Sequence, residues 1–267
     1  MSSIYSNEAL KDGHIIITGA TGGIGYQTAK AVVQAGADVT ITGRREEKLN
    51  DLKDECKRLN DSVKVYVHTA ELNDEENRRH LVDEAIQTNG AITGLVNSAG
   101  VVGGSTLDNL TEDDLRNVME LNYFSTVLLT QLVYEKMKAQ NEGAIVNLSS
   151  LSGLRGTHAN IAYSASKFAV TGFTQSLAVE AIEHNIRVNA VCPGYVDTEM
   201  GRESIRSKGE RNNRSFEEQL KVAEEGIPSG RISTAEEVAN TIVFLLTETA
   251  GNIIGESMKI SGGSVMR

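Results

Sequence analysis

Ile15-Ile16-Ile17-Thr18-Gly19-Ala20-Thr21-Gly22-Gly23-Ile24-Gly25 is the stretch on which the fold turns. Its three β-branched residues suit a short buried strand, its glycines suit a tight turn, and a helical pattern begins near Ile24. Such a turn lets backbone N–H groups and a helix N-terminus approach a pyrophosphate, because no Cβ stands in the way and the helix dipole favours negative charge. A glycine cluster alone fits a plain tight turn equally well. Its place between the first strand and first helix of a β–α series favours nucleotide binding.

Outward from that turn, β-branched runs alternate with longer stretches of helical period, the pattern of βαβ units around a buried parallel sheet. The pattern predicts strands over 14–18, 38–42, 63–68, 95–97, 144–148, 187–191 and 257–260. Helices are predicted to begin near Ile24, Arg45, Asp74, Thr111, Tyr163 and Thr234, with Thr111-x-x-Asp114 and Thr234-x-x-Glu237 reading as capping boxes. The expectation is one doubly wound α/β domain over 1–267, with a mostly parallel sheet and helices on both faces. No internal repeat, low-complexity tract or linker-like composition break interrupts it. Over 195–230 the periodicity weakens and charge rises, which reads as a lid or substrate loop.

The 267 residues carry a net charge of -10 with 40% hydrophobic and 4% aromatic residues and no Trp. That balance argues against a whole-protein attraction to nucleic acid or an anionic membrane. Cys56 and Cys192 stand far apart with no Cys/His cluster, and the histidines lack ligand spacing, so neither a disulfide framework nor a metal site is expected. Cys192 between Val191 and Pro193 reads as a small buried apolar residue, and His158 as a loop or substrate-wall residue. Residues 1–11 do not read as a leader, and no apolar run approaches the roughly 18 residues of a membrane span. A cytoplasmic location is expected.

Two places carry chemistry. The second strand ends Ile41-Thr42-Gly43-Arg44-Arg45, with no acid to meet a ribose 2′-hydroxyl and two arginines able to meet a 2′-phosphate, so NADPH is the expected cofactor. Solubilising a helix start is the plain alternative for both arginines, although the macrodipole disfavours cations there. Tyr163 and Lys167 lie four apart on one helix face, where an ammonium would lower the phenol's pKa and make it a usable general acid. Ser150, at the end of the strand over 144–148, could hold the same carbonyl oxygen. A lone Y-x-x-x-K is otherwise an ordinary solvated helix face.

Over nearly its full length the chain resembles the short-chain dehydrogenase/reductase family. The motifs occur in the family's order: T-G-x-x-x-G-I-G from Thr18 to Gly25, Asn97-Ser98-Ala99-Gly100, Asn122 after Leu121, Ser150, the Tyr163/Lys167 pair, and Pro193-Gly194. The resemblance implies a Rossmann-type sheet of seven strands in the order 3-2-1-4-5-6-7. It implies that Tyr163 donates the proton, that Lys167 lowers its pKa and holds the nicotinamide ribose, that Ser150 orients the carbonyl, and that Asn122 anchors a water leading to Lys167. It places the cofactor against Gly19, Thr21, Gly23, Ile24, Gly25, Arg44, Arg45, Glu71, Asn97, Ala99, Gly100, Tyr163, Lys167, Pro193, Gly194, Val196 and Thr198. Glu71 and Ser98 stand where the family usually has Asp and often Asn, which bears on adenine contacts. Ser261-Gly262-Gly263 replaces a frequent Asp-Gly-Gly.

Within the family the chain is most similar to ketoreductases of aromatic polyketide biosynthesis, then to β-ketoacyl carrier-protein and acetoacetyl-CoA reductases. Residues 99–104, ending Gly103-Gly104, the run 158–200 and the extended segment before Gly230-Arg231 carry that likeness. It implies reduction of a carrier-bound or thioester ketone. Arg202, Arg206, Lys208, Arg211 and Arg214 against Glu203 and Glu210 would attract an acidic acyl carrier protein or a phosphopantetheine phosphate, although a solvated loop explains them too. The family's association through helices around 115–138 and 163–184 implies a homotetramer. Rival readings are a dehydrogenase of a free sugar, steroid or small alcohol, a non-catalytic NADPH-binding regulator, and a scaffold subunit.

Overall fold

The computed structural model describes residues 7–266, so residues 1–6 of the segment inspected for a leader lie outside the described residues. The chain runs β1 (His14–Ile17), α1 (Gly23–Gln34), β2 (Asp38–Gly43), α2 (Glu46–Leu59), β3 (Val65–Thr69), α3 (Glu75–Asn89) and β4 (Gly94–Asn97). It continues α4 (Glu112–Met119), α5 (Ser125–Gln140), β5 (Gly143–Leu148), α6 (Ile161–Ala181) and β6 (Ile186–Pro193). The last elements are α7 (Glu199–Arg211), α8 (Phe216–Glu225), α9 (Ala235–Leu246) and β7 (Ser257–Ile260). A seven-stranded sheet has the order β3-β2-β1-β4-β5-β6-β7. Every neighbouring pair is parallel, so the sheet is wholly rather than mostly parallel.

The Ile15-Ile16-Ile17 run shows why these strands read as continuous apolar runs. The pleat sends Ile15 and Ile17 to one core with Val32 of α1, Leu49 of α2 and Ile242 of α9. Ile16 goes to the opposite core with Leu81 of α3, Leu129 of α5 and Leu177 of α6. With both faces covered, both parities are mostly apolar. Strand order reverses between β1 and β4, and the crevice beyond the carboxyl ends there is where open α/β sheets hold ligands.

Both predicted capping boxes form, at Thr111/Asp114 and Thr234/Glu237. The expectation of a loop over 195–230 is corrected, because two helices, α7 and α8, occupy most of it. α8 starts with a further capping box, Ser215 with Glu218. Few of their residues are buried, Ile205 and Gly209 in α7 and Gln219 in α8, so the apolar period that marks a core helix is faint. α4 and α5 join through a π-turn at Glu120–Phe124, which re-aims the chain at Asn122 without ending the helix.

A buried polar rung fixes the strand ends that carry the site. The Asn97 side-chain amide donates to Thr130 Oγ1 and to Asn147 Oδ1, each at 2.9 Å, and Asn147 Nδ2 donates to Thr174 Oγ1 at 2.9 Å. It links β4 and β5 to α5 and α6. Asn147→Leu, close in volume, would leave an Asn97 donor unpaired away from water and should lower unfolding free energy by about 1–3 kcal/mol. Urea unfolding of the two proteins checks this; an unchanged midpoint would show that the rung adds nothing to stability.

Candidate active site

The glycine turn is built for close backbone approach. Gly19 has φ +63°, and a Cβ there would stand 2.8 Å from the Ala99 backbone. A Cβ on Gly25 would run into the Gly19 carbonyl, and one on Gly23 into the Thr198 side chain. α1 opens at Gly22 with no side-chain cap and no acid in its first turn, leaving its leading N–H groups for an anion. This cradle fits a dinucleotide pyrophosphate. Thr18 Oγ1 accepts the N–H groups of Ser98 and Ala99 at 3.0 and 3.1 Å, tying the turn after β4 to the turn after β1.

The two arginines after β2 part company. Arg45 donates from Nη2 to the Thr21 carbonyl at 2.7 Å, whereas Arg44 pairs with Glu71 at 3.8 Å on an exposed surface. Asn97 differs from expectation: its side chain turns into the polar rung, so any cofactor contact there falls to the main chain. Asn122 is similar. Its Oδ1 accepts from Val101 N at 2.8 Å, and its Nδ2 donates to Val101 O at 2.9 Å and Ser166 Oγ at 3.0 Å. The amide therefore holds the loop after Gly100 against α6.

Ser150, Tyr163 and Lys167 converge beyond β5. Ser150 caps the short turn Leu151–Gly153, its Oγ accepting Ser152 N at 3.1 Å. Lys167 is 4% exposed, donates from Nζ to the Leu148 carbonyl at 2.7 Å, and stands 5.6 Å from the Tyr163 ring centre. Ser149 Oγ reaches back to the Lys167 carbonyl at 3.1 Å. Burial drives the Lys167 ammonium down to about 8. Burial also raises the Tyr163 phenol, with the hydrogen bond to Ser150 opposing it. In this arrangement the ammonium rests on the Leu148 carbonyl, and burial dominates at the phenol.

A cleft of about 360 Å³ joins these groups to α7 and α8. Ile24, Gly100, Ser150, Tyr163, Lys167, Pro193, Gly194, Val196 and Thr198 line it, with Met200, Ser204 and Lys208 of α7, Val222 of α8 and Ile227 just after α8. Arg155 and Asn160 also line it. The sequence pattern does not single them out, because neither belongs to a periodic face or a charge run. Thr18 and Ser149 are likewise invisible as positioning groups, since their partners lie on distant elements. The charge excess over 202–214 is partly internal: Arg202 pairs with Asp197, Arg206 with Glu203, and Arg214 donates to Gln219 Oε1. Cys192 is buried with its thiol pushed up by desolvation, as expected of an inert core residue. Among the described residues no group of three or more His, Cys, Asp or Glu could hold a metal ion, and no helix is long and apolar enough to cross a membrane.

A dinucleotide cradle at the sheet's reversal point, beside a Ser/Tyr/Lys cluster, defines a nicotinamide-dependent oxidoreductase. The short-chain dehydrogenase family pattern matches residues 13–209, and the chain belongs to that family. It is 34% identical over 253 residues to an acetoacetyl-CoA reductase of Acinetobacter sp. (strain RA3849), covering 94% of this chain and 97% of that protein. It is 35% identical over 250 residues to a 3-oxoacyl-[acyl-carrier-protein] reductase of Aquifex aeolicus, covering 93% and 95%. The structure of an actinorhodin polyketide ketoreductase with NADPH superposes with a TM-score of 0.91 at 29% identity, covering 98% of this chain and 99% of that one.

Proposed function

We propose that the chain is an NADPH-dependent ketoreductase that converts a β-ketoacyl thioester, carried on coenzyme A or an acyl carrier protein, to the β-hydroxy product. The observation that carries this reading is the convergence of Ser150, Tyr163 and Lys167 on one cleft beneath the glycine cradle. Relatives that reduce 3-oxoacyl and acetoacetyl thioesters support the substrate class.

The nicotinamide, when bound, supplies a hydride to the carbonyl carbon. The Ser150 hydroxyl donates a hydrogen bond to the carbonyl oxygen and holds it beside Tyr163. Tyr163 delivers its phenolic proton to that oxygen as negative charge develops, which completes the secondary alcohol. Lys167 is placed to hold the cofactor ribose and to stabilise the phenolate left behind, and the α6 helix fixes it one turn from Tyr163. Glycines 19, 23 and 25 admit the pyrophosphate. Thr21, Ile24, Ala99, Gly100, Pro193, Gly194, Val196 and Thr198 border the cofactor, while Asn97 and Asn122 position the loops around it. NADPH is favoured by the Arg44 guanidinium and the bare Gly43. The Arg44–Glu71 pair is loose and exposed, so a 2′-phosphate can take the carboxylate's place. Free Cys56 and Cys192 suit a reducing cytoplasm. Exposed Leu115, Phe124 and Leu128 on α4, the π-turn and α5, with Phe168, Val179 and Ile182 at α6 and its end, favour self-association, which we take to be a homotetramer.

Tyr163→Phe removes one hydroxyl, so NADPH binding by fluorescence titration should persist while acetoacetyl-CoA reduction falls about 10²- to 10⁴-fold. Near-normal turnover would place the proton donor elsewhere. Lys167 carries its charge below about 8 and loses it above, so cofactor affinity should decline as pH rises through that value; Lys167→Arg should remove this alkaline limb, and a limb that stayed would belong to another group. Arg44→Ala should raise the Kd for NADPH about tenfold or more and leave that for NADH nearly unchanged. Equal losses for both would end the phosphate assignment. In sedimentation at micromolar concentration the protein should run as a tetramer, and a monomer would remove the apolar helix faces as an interface.

A further inference from the structure

The lid helix α7 sorts its charges by face. Met200, Ser204 and Lys208 follow one another at i, i+4 and i+8 and all line the cleft. Arg202 and Arg206 lie off that stripe and meet Asp197 and Glu203 outside. Arg211, one turn beyond Lys208, brings its guanidinium to 4.0 Å from the position a Cβ on Gly104 would take, outside the residues that line the cleft. From the turn after Ser150, Arg155 enters the same cleft.

Two further facts set this cleft apart. No Asp or Glu lines it, although the protein holds 36 of them and a net charge of -10. A neighbouring hollow on the outer side of the glycine turn is lined by Asp51, Asp197, Glu199 and Glu236, so freedom from acids is not the rule on this surface. Moreover, among the described residues the Arg155 and Lys208 side chains have no carboxylate or hydrogen-bond partner, whereas the outward arginines do. Unpaired cations facing a wall without acids form a local positive potential on an acidic protein.

We infer that Arg155 and Lys208 form a phosphate-binding subsite for the phosphopantetheine portion of the substrate's carrier. This rests on the thioester reading above and adds the residues that grip the carrier rather than the ketone. The shared chemistry is a phosphate ester, present in coenzyme A and in a carrier protein's prosthetic arm. The lid's arginines at 202 and 206, which the charge count alone would include, are excluded because their charges are already met.

The test compares acetoacetyl-CoA with the phosphate-free S-acetoacetyl-N-acetylcysteamine in the wild type, Arg155→Gln, Lys208→Gln and the double variant, each checked for an unchanged melting temperature. The ratio of kcat/KM for the two thioesters should fall about threefold to tenfold per substitution, through KM, and Lys208→Arg should restore most of it. Added salt should lower the wild-type ratio and have less effect on the double variant. Acetoacetyl carrier protein should follow acetoacetyl-CoA if its arm uses the same site. A ratio unmoved by both substitutions would overturn the subsite while leaving thioester reduction intact. Calorimetric titration of the NADP-loaded protein with coenzyme A and with pantetheine provides a readout without turnover. Tighter binding of coenzyme A that is lost in the double variant supports the subsite, whereas equal affinities overturn it, whichever ketone the enzyme reduces. Failure of the wild type to reduce either thioester would instead strike the functional reading itself.

Discussion

The bond from Lys167 Nζ to the Leu148 carbonyl is the contact around which the site is assembled. It joins the last residue of β5 to the second turn of α6, and Ser149 returns the connection by donating to the Lys167 carbonyl. Gly153 completes the clasp, since any side chain there would press on that same carbonyl. With the strand end and helix locked together, Ser150 and Tyr163 are set by neighbours on the same two elements. The Asn97–Asn147–Thr174 rung carries this rigidity into the sheet below. A precise arrangement of three side chains thus rests on main-chain geometry that the sheet already fixes.

The clasp also accounts for the site's electrostatics. An ammonium that is nearly out of water is disfavoured unless something accepts from it. One carbonyl does so here, which is too little to keep the group fully basic, and Lys167 accordingly sits far below an ordinary lysine. Burial acts on Tyr163 in the opposite sense, favouring the protonated phenol. A protonated phenol is the form a proton donor needs at the start of reduction.

How much of this the sequence reveals depends on the range of the interaction. Ile15 to Gly25 marks strand, turn and helix because each signal is local, and the Thr111 and Thr234 capping boxes are equally local. Tyr163 and Lys167 are legible because a helix converts a spacing of four into proximity. The family resemblance adds Ser150, Asn122 and the strand order, none of which spacing alone determines. What stays hidden is tertiary. The amides of Asn97 and Asn122 are engaged inside the protein by partners 33, 50 and 44 positions distant. The helices α7 and α8 escape notice because their exposed, charged faces leave little apolar period to detect. Likewise, no charge count separates Arg202 and Arg206 from Lys208, since only the folded helix shows which side each occupies.

That division of α7 bears on how such a protein can diversify. Its outward arginines pair on the surface with Asp197 and Glu203, while its inward stripe at 200, 204 and 208 lines the cleft. Thr198 anchors its start and Gly209 packs its end against Gln219, independently of either set. Substitutions on the inward stripe would therefore change the lining of the cleft without touching the sheet or the Ser150, Tyr163 and Lys167 cluster. A scaffold that keeps rigid strand ends apart from one separable helix face leaves that face free to vary while the fold is kept.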